Sequence, residues 1–144
     1  MINYLNIIKI IKNQVKPALG CTEPGAVAYG VARAKEIIGE EVQEIEIITD
    51  KNIMKNGLVV GIPGTEEEGI IFAAALSLII GKSEYGLEVL KDLSQEDIDL
   101  AQGIVDSKII SLDYDKSKEG LYIHIRARGA NNTSTVIIEN SHTN

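Results

Sequence analysis

The chain has 144 residues, a length that suits one domain and a sizeable core without cross-links. Apolar residues make up 44% and aromatics only 4%, so isoleucine, leucine, valine and alanine must fill the interior. A formal charge of -7 with no basic cluster argues against nucleic acid or an anionic membrane face as a partner.

Helical spacing of Ile2, Leu5, Ile7, Ile8 and Ile11, with Pro17 beyond them, predicts a first helix. A second follows over Glu23 to Ile38, with Thr22 as N-cap, Pro24 in the first turn and Gly39 as the stop. These two form an N-terminal helical pair. Ala26, Ala28, Gly30, Ala32 and Ala34 give the second helix little bulk, so another element or a ligand can approach its backbone closely. "VQEIEIITD" alternates as a half-buried strand. Asn56-Gly57 and Pro63-Gly64 then read as turns around a short apolar piece, and Thr65-x-x-Glu68 as a capping box opening a helix over Glu66 to Ile80. The apolar run Ile70 to Ile80 is well short of the roughly 20 residues a bilayer needs, so it reads as a core helix. Two amphipathic helices are expected next, over Tyr85 to Leu93 and Gln95 to Val105, the second opened by Ser94 with Asp97 three residues on.

The last third turns β-branched. "KIISLDY", "GLYIHIRAR" and "TSTVIIE" read as a three-stranded antiparallel meander, with the strand near residue 45 free to pair at either of its edges. In the middle strand Leu121, Ile123, Ile125 and Ala127 face one way, and Tyr122, His124, Arg126 and Arg128 the other. The expected fold class is α+β: an antiparallel sheet of about three to four strands packed on helices, in a single domain over residues 1–144.

A lone cysteine forms no internal disulfide, and no leader-like segment precedes the folded pattern, so a cytoplasmic location is expected. Cys21 stands just ahead of a helix N-terminus, where unsatisfied N–H groups favour the thiolate, a nucleophile and metal ligand; a buried thiol acting as a small hydrophobe is the plain alternative. One Cys with His124 and His142 is too few ligands for a cluster, and His124, on the polar strand face, reads as solvated. "GIPGTEEEG" lacks the Lys-Ser/Thr ending of a phosphate loop, and its three glutamates would repel phosphate. Lys51, Asn52, Lys55, Asn56 and Gly57 can hold a small carboxylate or simply form a loop.

Taken together, "VKPALGCTEPGAVAYGVARA", "NIMKNGLVVGIPGTEEEGIIFAAAL" and the final "SHTN" resemble the L-cysteine desulfidase family, relatives of the iron–sulfur L-serine dehydratase catalytic chain. The resemblance implies a lyase that splits L-cysteine into pyruvate, ammonia and sulfide on a 4Fe-4S cluster, with Cys21 as a cluster ligand. It also implies that Thr22, Glu23, Lys55, Asn56, Gly57, His142 and Thr143 bind a small amino acid substrate. Members of that family are much longer and carry their other cluster cysteines in a C-terminal part. This chain would then be an N-terminal portion, inactive and without a bound cluster by itself, awaiting a C-terminal half or a second subunit, with a homo-oligomer also open. Two further readings stand beside it: a non-catalytic module that binds a small molecule or a protein, with a structural cysteine, and a redox thiol sensor, which lacks a resolving cysteine.

Overall fold

The computed structural model describes residues 22–57, 69–84 and 93–139. Their elements are α1 (Thr22–Ile38), β1 (Glu44–Thr49), α2 (Lys51–Gly57), α3 (Ile70–Ile80), α4 (Gln95–Ser107), β2 (Ile110–Tyr114), β3 (Tyr122–Arg128) and β4 (Thr133–Glu139). The fold is α+β, as its alternating strands and periodic helices require. The helix expected over Ile2 to Ile11, the Thr65–Glu68 capping box and all but Leu93 of the helix expected over Tyr85 to Leu93 lie outside the described residues. No described helix is long and apolar enough to cross a membrane.

The sheet order is β2-β1-β3-β4, with β1 parallel to β2 and antiparallel to β3, and β3 antiparallel to β4. The three-stranded meander is therefore corrected. β1 enters between β2 and β3 and makes the sheet mixed. Burial supplies the reason: Ile45, Ile47 and Thr49 of β1 are wholly enclosed, whereas β2 buries Ile110 and exposes Asp113 and Tyr114, the profile of an edge strand. The seven residues Asp115 to Leu121 that join β2 to β3 reach up to roughly 23 Å extended, ample for the ~10 Å across two strand spacings.

One face of this sheet carries the core. Ile45 and Ile47 of β1, Ile123, Ile125 and Ala127 of β3, and Ser134, Val136 and Ile138 of β4 point inward under α1, with α3 beside α1 and α4 beside α3. The bulk-free face of α1 lets it lie close to the strands: a Cβ on Gly30 would stand 2.5 Å from Cδ1 of Ile125 and 3.2 Å from Cδ1 of Ile138. Tight packing, not room for a ligand, is what the small residues provide at this position. Two buried hydroxyls fasten the same helix by donating to its carbonyls, Ser77 Oγ to Ala28 O at 2.6 Å and Ser134 Oγ to Ala34 O at 2.8 Å.

Helix boundaries follow local chemistry. α1 ends where Gly39 turns left-handed (φ 69°). α3 starts from Gly69 (φ 105°), later than the expected Glu66, and its last carbonyls, Ser77 O and Leu78 O, accept from Lys35 Nζ at 3.1 and 3.4 Å. Burial holds the Lys35 ammonium below the ordinary lysine pKa. α4 opens with the capping box expected of it, Asp97 N–H donating to Ser94 Oγ and Ser94 N–H to Asp97 Oδ2, both at 3.1 Å.

Candidate functional site

The end of the sheet at Thr49 and Asp50 gathers buried polar groups whose bonds tie three elements together. Asp50 is only 3% exposed, so its carboxylate must be satisfied from within. Oδ1 accepts the Ile53 N–H at 2.9 Å, which caps α2, and Oδ2 accepts the Tyr122 N–H at 2.9 Å, which fixes the start of β3. The Asp50 backbone N–H donates to Tyr122 O at 2.9 Å, so strand pairing and side-chain capping converge on one residue. "KNIMKNG" is thus helix α2, not the loop expected before an Asn56-Gly57 turn, and Asn56 and Gly57 close that helix. Ile53 anchors it in the core.

α2 places Lys51 and Lys55 one turn apart, both exposed and neither in an ion pair with a described residue. α2 packs against α1, whose first residues are Thr22 and Glu23. On the other side of Tyr122, Glu139 is its β4 partner, three residues before His142 in sequence. The fold therefore brings α2 and the close of β4 to one end of the sheet. Cys21, His142 and Thr143 lie outside the described residues, as do the side chains of Thr22, Glu23 and Asn56, while Gly57 is described by its backbone as the last residue of α2.

The β2–β3 connection completes this end. The Asp115 carboxylate accepts from Ser117 Oγ at 2.6 Å and Ser117 N–H at 3.0 Å, bonds that hold its pKa below the ordinary value. Lys118 Nζ stands 4.4 Å from the centre of the Tyr122 ring. An open depression of about 540 Å³ is lined by Ile48, Asp113, Tyr114, Asp115 and Lys116.

Next to it on β3 lies His124, and here the expectation of a solvated imidazole is corrected. The residue is half-buried, and its Nδ1 is shut away from solvent without a hydrogen-bond partner among the described residues. Burial first, then the neighbouring Arg126, push its pKa down, against a smaller opposing pull from Glu46. Asp50 escaped the sequence reading altogether. Its signal was present: an aspartate ending an alternating strand, three residues before an isoleucine that continues as helix.

Metal ligation finds little support in these side chains. No group of three His, Cys, Asp or Glu able to hold an ion occurs among the described residues, and one thiol in the whole chain does not furnish the three or four that an iron–sulfur cluster takes. The chain's own residues do not fit a complete cluster.

Among the described residues, a mixed sheet with helices packed on one face, and an aspartate at its end that anchors a short cationic helix, define an α+β module. No family model matches the chain. In sequence it is similar to a UPF0597 protein of Clostridium tetani, 56% identical over 138 residues, which cover 96% of this chain and 33% of that protein. It is likewise similar to UPF0597 proteins of Caldanaerobacter subterraneus subsp. tengcongensis (50% identical; 99% of this chain, 34% of the relative) and Parabacteroides distasonis (47%; 95% and 32%). The chain spans about a third of the length of the curated relatives it matches. The assignment to an N-terminal L-cysteine desulfidase fragment is corrected by these similarities: the proteins that match nearly the whole chain bear the UPF0597 name and no named activity.

Proposed function

We propose that the chain is a non-catalytic binding module within a longer protein, holding a small amino acid by its carboxylate at the α2 end of the sheet. One observation carries the reading. Lys51 and Lys55 repel each other across a single helical turn, and Asp50, both of whose carboxylate oxygens are engaged in backbone bonds, holds the helix that presents them. A bound carboxylate relieves that repulsion and turns it into charge-assisted hydrogen bonding. Glu139, paired with Tyr122, lies at the same end of the sheet, and α1 packs on α2. A second segment of the longer protein completes the pocket.

The test is a titration followed by NMR, using L-alanine, with acetate and ethylamine as partial mimics. L-Alanine shifts the amides of Lys51 to Gly57 and Tyr122, acetate shifts the same amides more weakly, and ethylamine does neither. Lys55→Ala weakens L-alanine binding about tenfold, equivalent to ~1.4 kcal/mol. Shifts that are absent, or unchanged in Lys55→Ala, remove the proposal.

A further inference from the structure

The second face of the sheet is covered by no described element. All described helices that pack on the strands lie on the Ile45–Ile125–Ile138 side, and the strand register fixes what the opposite face displays. One row across it reads Asp113, Ile48, His124, Ile137; the next reads Ser111, Glu46, Arg126, Thr135; a third sets Glu44 against Arg128 and Thr133. The face is thus divided. Towards the Tyr122 end it sets Ile48 and Ile137 on either side of the imidazole whose Nδ1 has no partner among the described residues, with the exposed Asp113 beside Ile48 on the edge strand. Towards the other end it is an ion ladder: Glu44 pairs closely with Arg128, and Glu46 stands 3.9 Å from Arg126, around a cleft of about 190 Å³ that also reaches Ser111.

We infer that this outer sheet face docks a segment of the longer protein lying outside the third matched by this chain. Charge narrows the occupant first. Two glutamates beside two arginines leave the ladder without net charge, so it selects neither a phosphate backbone nor an anionic membrane, but a polypeptide surface with charges of both signs. Size narrows it further. Four strands at about 4.8 Å and about five residues of ~3.3 Å rise cover roughly 300 Å². A stable association between separate chains buries about 800 Å² on each partner, so a second copy would be held too weakly. A segment joined by the same chain is held at an effective concentration in the millimolar range and docks on a patch of this size. About two thirds of each matched relative lies outside the match, ample polypeptide to supply it. The docked segment closes over the row that runs from Ile48 through His124 to Ile137.

The experiment compares this chain with a chimera in which it replaces the matched third of the Clostridium tetani UPF0597 protein. Cysteines are placed singly on the outer face (Ser111→Cys, Thr135→Cys) and, as a control for folding, on the exposed side of α4 (Gln102→Cys), and peptide-resolved thiol labelling is timed. The outer-face cysteines label at least about tenfold more slowly in the chimera, while the α4 cysteine labels equally in both. Adding Ile48→Asp and Arg126→Glu to the chimera restores outer-face labelling to the rate of the isolated chain. Equal rates in chimera and isolated chain, with the α4 control unchanged, overturn the inference. So does protection in the isolated chain that grows with its concentration, because a second copy is then the occupant.

Discussion

Gly30 lies mid-helix, and two opposing effects of known size meet there. Replacing a helix-interior glycine by alanine gains about 0.8–1 kcal/mol of propensity when the new methyl finds open space. At Gly103, in α4, nothing lies within 4 Å of a built Cβ, so Gly103→Ala stabilises the fold by about that amount. At Gly30 the same methyl would stand 2.5 Å from Cδ1 of Ile125 and 3.2 Å from Cδ1 of Ile138, both on fully enclosed side chains. Overpacking of that kind costs about 1–3 kcal/mol, which outweighs the propensity gain and leaves Gly30→Ala destabilised by about 1 kcal/mol net. Urea unfolding followed by circular dichroism reads the difference directly as a shift in midpoint at constant slope. The cause is isolated by a second substitution. Ile125→Val removes the offending Cδ1 at a cost of about 0.5–1.5 kcal/mol, and in that background Gly30→Ala turns stabilising. If Gly30→Ala raises stability as much as Gly103→Ala does, α1 does not approach β3 as described, and the close-packing account of its small residues is wrong.

Two further outcomes test the sheet end and its neighbour. Asp50→Ala strips the cap from α2 and leaves the Tyr122 N–H unpaired; the same unfolding assay shows a loss of about 2–4 kcal/mol, and a loss under about 1 kcal/mol contradicts the double role of this carboxylate. The pKa of His124 is depressed in the folded protein, so as pH falls through about 6.5 the unfolded chain takes up a proton that the folded chain resists. Stability is therefore full above that pH and declines towards the folded pKa. His124→Gln flattens the slope between about pH 7 and 5, above the range where carboxylates titrate, and an unaltered slope rules out a suppressed imidazole.

Elements governed by their own residues were legible in the sequence. Ser94 and Asp97 announced α4 because a capping box is a contact between residues three apart, and β3 was readable because Ile123, Ile125 and Ala127 alternate with His124, Arg126 and Arg128. The place of β1 was not legible, since parallel pairing of Ile45 with Ile110 depends on everything folded between them. α2 escaped for another reason: seven residues give helical periodicity barely two turns in which to show, and its cap, Asp50, draws half its bonding from β3. Lys51 and Lys55 of α2 were singled out in the sequence, but Asp50, which caps the helix that carries them, was not. His124 was discounted because alternation reports which face a side chain takes, not whether that face is wet.

The position of β1 also bears on how the chain is made. Its two neighbours in the sheet begin at Ile110 and Tyr122, so a nascent chain carries "EIEIIT" with both edges unpaired until the polypeptide through Arg128 has left the ribosome. Alternating isoleucines in that state invite pairing with other molecules. Glu44 and Glu46 set like charges against any identical strand laid beside them in register, and so guard the segment until Arg128 and Arg126 arrive to neutralise them.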